Sequence, residues 1–234
     1  MYSTKERVMT SCTDETGTQT LVSAVTMMQN CSMMWMEAHP TLDEWLQEVN
    51  GAMLVASREM EIRRRPRYGE FLTVGTWAYK CASRMGYRNT CIFDEQGEAT
   101  AACWCTGVFV SRDNGAALKL PDYVIDSMDV EPAFPMDYGK RKIALPDVEP
   151  QQLPAVAVQR SDIDFNGHVN NAQYVRMAYD TLPADFYPTH LRITHDGQAK
   201  YGDTIQLLRY VDGGTYVFKL SGDDGQPYAF IEFK

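Results

Sequence analysis

Long apolar runs are missing from this sequence. The longest stretch without a charged residue extends from Thr16 to Met36, and about half of it is polar, whereas a membrane-spanning helix needs about 20 mainly apolar residues. No membrane span is therefore predicted. Residues 1–6 contain no apolar segment of the signal-peptide type either, so a cytoplasmic protein is expected.

Positive charge is also scarce. Lys and Arg number 22 against 31 Asp and Glu, which gives a net charge of -9. An acidic chain is repelled by phosphate backbones, so general nucleic-acid binding is excluded. The exception is one basic run, residues 63–67. Docking of an acidic carrier protein and a plain solvated strand end are both open interpretations of this run.

Cofactor and metal motifs are absent as well. The six cysteines form no Cys-x-x-Cys pair and have no ligand-like spacing to a histidine, so reduced cysteines and no metal site are predicted. The chain has no G-x-G-x-x-G, no P-loop and no G-x-S-x-G. Nucleotide cofactors and a serine hydrolase fold are excluded, and no cofactor is predicted.

What the chain does contain is an internal repeat. Residues 11–18 align with residues 161–168, and residues 67–70 align with residues 200–203. The offset falls from 150 to 133, which predicts an insertion in the first half. The segment 40–50 is the candidate for this insertion, because Thr41 and Glu44 form a capping-box pattern that would begin an extra helix. Two matches in the same order indicate a duplicated domain.

Proline marks the predicted boundary between the two copies. Six of the eleven prolines lie between Pro121 and Pro154. Because proline removes a backbone donor and restricts its neighbours, this segment is predicted to be a linker. The predicted organisation is a first domain over 1–120, a Pro-rich linker over 121–153 and a second domain over 154–234.

Each half is predicted to be one helix followed by strands. Apolar residues at helical spacing predict a first helix from Leu21 to Trp35 and a second over 171–181. The strands are predicted at 53–65, 71–83, 87–93 and 99–111 in the first half, and at 191–199, 204–210, 216–220 and 228–233 in the second. Hairpin-length connections favour antiparallel sheets, so the predicted fold class is α+β.

The segment with the most chemistry is 160–171, just before the second predicted helix. Asp164, Asn166 and His168 alternate, so an extended backbone would project them the same way. A carboxylate beside an imidazole and an amide can act as nucleophile or base, proton carrier and orienting donor. The alternative is that the Asp and Asn residues cap the helix and His168 is a surface residue.

Residues 164–174, Asp-Phe-Asn-Gly-His-Val-Asn-Asn-Ala-Gln-Tyr, resemble the active-site signature of the plant and bacterial acyl-acyl carrier protein (acyl-ACP) thioesterases. The resemblance implies two tandem hotdog domains, each an antiparallel sheet wrapped around a long helix. It also implies hydrolysis of an acyl chain carried on the phosphopantetheine of acyl carrier protein, releasing free fatty acid and carrier thiol in fatty acid biosynthesis. By the same resemblance Asp164, Asn166 and His168 are the catalytic residues.

The first half departs from this signature. Its matching positions are Asp14, Thr16 and Thr18, which lack the imidazole and the amide. The first domain is therefore expected to hold the acyl chain without catalysing the reaction.

The second half departs from the signature at one position. The family places a catalytic Glu within a strand before a turn, and the matching residue here is Gln198. Glutamine cannot take up a proton at neutral pH, so Gln198 is expected to orient the attacking water by hydrogen bonds.

Three functions follow from these expectations. The first is a bacterial acyl-ACP thioesterase, monomeric or homodimeric. The second is an acyl-CoA thioesterase on the same scaffold. The third is a non-hydrolysing acyl-binding module, which the loss of an acid at Gln198 would favour.

Overall fold

The computed structural model describes all 234 residues. The chain forms two compact units: residues 1–56 with 60–138, and residues 57–59 with 139–234. Residues 121–138 of the predicted linker therefore belong to the first unit and residues 139–153 to the second. The assignment of separate roles to the two halves stays a prediction.

The first unit is an antiparallel sheet with helices. Its strands are β1 (Tyr2–Arg7), β2 (Gly51–Ile62, of which residues 57–59 belong to the second unit), β3 (Phe71–Ala82), β4 (Met85–Phe93) and β5 (Ala99–Ser111), in the spatial order β1-β3-β4-β5-β2. Its helices are α1 (Leu21–Met34), α2 (Pro40–Glu48) and the short α3 (Asp122–Asp126). Helix α1 packs against β3 and β4 through residues that recur at helical spacing, among them Leu21, Val25 and Met28.

The second unit repeats this plan in a smaller form. Its strands are β6 (Gln151–Ala157), β7 (His190–His195), β8 (Thr204–Asp212), β9 (Thr215–Ser221) and β10 (Pro227–Phe233), in the order β7-β10-β9-β8-β6. Its helix, α4 (Asn171–Tyr179), packs against β10. None of the helices combines the length and apolar character that crossing a bilayer requires.

Eight of the ten strands lie where the sequence predicts them, and β1 and β6 are missed. Strand β6 contains Pro154 and lies inside the segment predicted to be a linker. It is the edge strand of its sheet, and its register shifts between Leu153 and Val156. Proline is tolerated at an edge because its missing N–H faces no partner strand, so proline density is a poor argument against a strand there.

The extra helix of the first half is confirmed, but its predicted cap is wrong. Helix α2 begins at Pro40, and the residue before it is His39, whose side chain makes no capping bond. Proline suits the first helical position because its φ is preset and its missing N–H would have no intrahelical partner. Thr41 therefore lies inside the helix and not at its cap.

The duplication is confirmed in the backbone. Equivalent amides in the two halves donate to equivalent carbonyls at nearly equal distances. These pairs are Val8 to Glu70 (2.9 Å) and Val158 to Asp203 (2.9 Å), Asp14 to Thr18 (3.0 Å) and Asp164 to His168 (3.0 Å), and Gln19 to Pro66 (2.7 Å) and Val169 to Ala199 (2.9 Å). The two offsets of the sequence alignment thus correspond to matching positions in the fold.

Candidate active site

The predicted catalytic segment contains a tight turn at residues 164–167, called here the second-half turn. The amide of Gly167 donates to the carbonyl of Asp164 at 3.0 Å, and the amide of Asp164 donates to the carbonyl of His168 at 3.0 Å. Gly167 has φ +78°, a conformation that glycine adopts without a steric penalty. The expectation of an extended segment is therefore wrong, because Asn-Gly closes a turn at this point.

This turn separates the three predicted catalytic residues. Asp164 and His168 lie side by side at its base and are half-buried, whereas Asn166 is exposed at its tip. Oδ1 of Asp164 accepts the amide of Asn166 at 2.8 Å, and its other carboxylate oxygen accepts no hydrogen bond. The ring nitrogen Nδ1 of His168 is buried and has no partner. One carboxylate oxygen and one buried ring nitrogen thus have no hydrogen-bond partner within the protein.

Gln198 lies beyond the end of a strand, in a segment (residues 196–200) called here the Gln198 loop. Strand β7 ends at His195, and the amides of Asp196 and Gly197 both donate to the carbonyl of Tyr228, at 2.9 and 3.2 Å. Two donors on one acceptor produce a bulge, which ends the regular pairing. Gln198 is exposed, and the expectation that it lies within a strand is wrong.

The second-half turn and the Gln198 loop are joined directly. The amide of Val169, next to His168, donates to the carbonyl of Ala199 at 2.9 Å. The amide of Ala199 donates to the hydroxyl of Tyr174 at 2.8 Å. The structure therefore places Asp164 and His168 in a segment adjacent to Gln198.

Tyr174 is the last residue of the segment that resembles the family signature, but no role is predicted for it from the sequence. It lies on α4 with 1% of its surface exposed, and burial raises the pKa of its hydroxyl to about 12. Its ring meets that of His195 edge-to-face, with centroids 6.0 Å apart. Burial, and then the charge of Arg58, lower the pKa of His195 to about 3, so the imidazole that packs against Tyr174 is uncharged at neutral pH.

Helix capping does not account for Asp164. The residue that caps α4 is Asn170, whose side chain accepts the amide of Ala172 at 2.9 Å. Asp162, which is buried, instead accepts from the guanidinium of Arg176 at 2.9 Å. The structure thus gives the nearby polar residues structural roles and leaves Asp164 without one beyond its own turn.

The corresponding turn of the first half (residues 14–17, the first-half turn) is organised differently. The carboxylate of Asp14 accepts hydrogen bonds from Thr16 and Thr18 and forms an ion pair with Arg65. Burial alone would raise the pKa of Asp14, but the hydrogen bonds from Thr16 and Arg65 outweigh it and hold the pKa well below its usual value. Both oxygens of this carboxylate are engaged within the protein.

The basic run 63–67 is largely neutralised within its own unit. Its ion pairs are Arg63 with Glu61 (3.2 Å), Arg64 with Glu70 (2.8 Å) and Asp94 (3.0 Å), and Arg65 with Asp14. Arg67 is exposed and forms no ion pair. Among the four arginines of this run, Arg67 is therefore the one whose charge is most accessible to a binding partner.

Metal-ligand clusters are not found. All six cysteines are free thiols, and no three His, Cys, Asp or Glu side chains are grouped as metal ligands would be.

Two family models match this chain. The acyl-ACP thioesterase N-terminal domain matches residues 1–128, and the C-terminal domain of the same family matches residues 147–226. Among named relatives, oleoyl-acyl carrier protein thioesterase 1 of Arabidopsis thaliana is 26% identical over 190 residues, which cover 74% of this chain and 52% of that protein. A dodecanoyl-[acyl-carrier-protein] hydrolase of Cinnamomum camphora is 24% identical over 179 residues, covering 69% and 45%. The chain spans about half the length of the curated relatives it matches.

Solved structures of similar fold cover nearly the whole chain. An acyl-ACP thioesterase from Bacteroides thetaiotaomicron superposes with TM-score 0.89 at 16% identity, covering 99% of this chain and 96% of the other. The 12:0-ACP thioesterase from Umbellularia californica superposes with TM-score 0.87 at 16% identity, covering 100% and 96%. These structures confirm the predicted α+β fold of two tandem hotdog domains. With both of its domain models matched, the chain belongs to the acyl-ACP thioesterase family.

Proposed function

We propose that this protein hydrolyses acyl-ACP to free fatty acid and carrier thiol, without a cofactor. The observation that carries the proposal is the contrast between the two turns. The first-half turn engages both oxygens of Asp14, whereas the second-half turn leaves one oxygen of Asp164 and Nδ1 of His168 without partners. Polar groups left unpaired at a partly buried site are costly to stability, which supports their use by a bound thioester and water.

In the proposed reaction Asp164 is the base. It accepts a proton from water, whose oxygen adds to the thioester carbonyl carbon. The carbon–sulfur bond then breaks, and the carrier sulfur leaves and takes up the proton held by Asp164, which restores the carboxylate. His168 supplies a hydrogen-bonding ring nitrogen beside this carboxylate. Gln198 can donate to and accept from the water through its amide but cannot take its proton, so the base must come from Asp164 or His168, and we assign it to Asp164.

Asn166 has a different place in this proposal. Its amide is exposed at the tip of the turn, where it can donate a hydrogen bond to the incoming thioester. Its own backbone amide already holds Asp164 at 2.8 Å, so the residue also fixes the base.

The partner in this proposal is an acyl carrier protein with a phosphopantetheine-linked acyl chain. The relatives named above act on carrier-protein thioesters, and two domain models of one such family match here. The first domain holds the acyl chain, and the protein acts as a monomer or homodimer in the cytoplasm of a bacterium during fatty acid biosynthesis. Similarity to a solved acyl-ACP thioesterase chain from Bacteroides thetaiotaomicron supports this setting.

The test compares two thioesters with the same acyl chain, one on acyl carrier protein and one on coenzyme A. Release of thiol and fatty acid is followed with the full chain and with Asp164→Asn, which keeps the side-chain shape and removes the base. We expect hydrolysis of acyl-ACP with the higher kcat/KM, and a loss of about 10²- to 10⁴-fold in Asp164→Asn. Preference for the coenzyme A ester would support the second function, and tight binding without hydrolysis would support the third.

A further inference from the structure

The hydroxyl of Tyr174 holds the peptide that joins Gln198 to Ala199. Ala199 is fully buried, and its two backbone polar groups have separate partners. The N–H donates to Tyr174 at 2.8 Å and the carbonyl accepts from Val169 at 2.9 Å. Because the N–H belongs to the Gln198–Ala199 peptide plane, this bond restrains the backbone on one side of Gln198, and the bond from the amide of Gly197 to the carbonyl of Tyr228 restrains it on the other.

The first half provides an internal control for this bond. Its backbone is the same at this point, since the amide of Gln19 donates to the carbonyl of Pro66 at 2.7 Å. The residue equivalent to Ala199 is Pro66, which has no N–H, and the residue equivalent to Tyr174 is Ala24, which has no hydroxyl. Donor and acceptor are thus replaced together. The hotdog fold does not need the bond, because one of its two copies lacks it.

The bond occurs in the copy that carries the candidate catalytic residues. We propose that Tyr174 is a positioning residue for the reaction: its hydroxyl sets the place at which the Gln198 amide meets the attacking water. The inference rests on the proposed function. A positional role accounts for a buried, uncharged hydroxyl directed at the backbone, because Ala24, which has no hydroxyl, suffices in the other copy.

The test begins with Tyr174→Phe, which keeps the buried ring and removes the hydroxyl. We expect kcat for the acyl thioester to fall about 10- to 100-fold while KM changes less than about twofold, because binding is intact and water placement is not. Tyr210→Phe is the matched control: it removes a hydroxyl from a buried tyrosine of the same unit, in the cluster with Ile143 and Val217. It should leave kcat unchanged. Equal kcat values in the two variants would overturn the proposal.

A second variant approaches the bond from its donor side. Ala199→Pro removes the N–H and copies the residue that the first half already accommodates at this position. We expect the same loss of kcat as in Tyr174→Phe, and no greater loss when the two changes are combined. Combining them leaves no unpaired buried group from this bond, so the double variant also guards against a folding defect. Multiplying losses in the double variant would show independent effects and contradict the proposal.

The last arm asks whether Tyr174 acts through Gln198. In a Gln198→Ala background the hydroxyl has no amide to position, so adding Tyr174→Phe should lower kcat no further. A further loss of tenfold or more there would assign Tyr174 a general structural role instead. Turnover by the wild-type chain distinguishes failure of the proposed function from failure of the positioning role of Tyr174. No wild-type turnover overturns the proposed function and the positioning role together, whereas wild-type turnover with an unaffected Tyr174→Phe overturns the positioning role alone.

Discussion

Arg65 forms an ion pair with Asp14 at the position where the second half places Gln198 near Asp164. The guanidinium also donates to the carbonyl of Gln19 at 2.9 Å, so it links the first-half turn to the chain after it. The guanidinium at this position, together with the hydroxyls of Thr16 and Thr18, thus engages a carboxylate that the second-half turn leaves partly available.

The first prediction concerns Asp14→Asn. The folded pKa of Asp14 lies below its unfolded value of about 3.8, so its ionised form stabilises the fold above that pH, and this contribution is lost as the pH falls through the folded pKa. We expect Asp14→Asn to lower the free energy of unfolding by about 1–3 kcal/mol at pH 7. The deficit should shrink at pH 3, as measured by urea unfolding.

The matched control is Asp164→Asn on the second-half turn, whose carboxylate accepts one hydrogen bond and forms no ion pair. It should change stability at pH 7 by less than Asp14→Asn does. An equal or larger effect of Asp164→Asn would contradict the contrast drawn between the two turns.

A second prediction concerns His168→Ala. The Nδ1 atom of the imidazole has no hydrogen-bond partner, so the thermal midpoint should stay within a few degrees while kcat falls at least about 100-fold. The control is Thr18→Ala, the position equivalent to His168 just after the first-half turn, which should keep kcat within about threefold of wild type. Retention of activity in His168→Ala would remove the imidazole from the proposed site.

Gln198→Glu is the third prediction. A carboxylate at this position adds a group that can take the proton of the attacking water, so kcat at neutral pH should rise about tenfold. The pH–rate profile should gain one titrating group with an acidic pKa, and the charge should favour the imidazolium form of His168. Gln198→Ala, which can neither donate nor accept, should lower kcat.

Two close carboxylates repel, and a protonated, idle Glu at 198 would leave the rate unchanged while still altering the pH profile. A Gln198→Glu variant with the wild-type rate and the wild-type profile would place residue 198 outside the reacting groups. The equivalence with the family's Glu would then have to be redrawn.

The fourth prediction concerns Arg67, the exposed and unpaired member of the basic run. Arg67→Glu should raise KM for acyl-ACP and weaken its salt dependence, with little effect on a small acyl thioester, because charges at the edge of an interface act mainly on encounter. Arg84→Glu makes the same charge change at another exposed site of this unit and is the control. Equal effects of both variants would indicate that KM depends only on the net charge of the protein and not on the position of Arg67.

Short-range signals explain which parts of the fold the sequence predicts. Alternating apolar residues and glycine-containing turns mark strands such as β4 and β9 closely, since both signals are local. Local signals give the wrong answer at the second-half turn. The alternation of Asp164, Asn166 and His168 predicts an extended backbone, but the Asn-Gly pair forms a turn. Local signals also fail at β6, where proline density hides an edge strand.

Contacts between distant residues lie beyond such local signals. Arg65 and Asp14 are 51 positions apart, and Tyr174 and Ala199 are 25 apart. No periodicity links either pair. The repeat does offer a usable hint, because the coupled differences between Tyr174 and Ala24 and between Ala199 and Pro66 are visible once the two halves are aligned.

The bulge that ends β7 has a counterpart in the first half, where the amides of Arg63 and Arg64 both donate to the carbonyl of Thr100, at 2.9 and 3.0 Å. The kink therefore survives a complete change of the side chains that follow it. At this bulge the backbone conformation is the same in both halves, whereas the side chains that follow it differ. The fold therefore already accommodates two different sets of side chains at the turn and after the bulge. A library that randomises these positions in either half would test new active-site chemistries on one backbone.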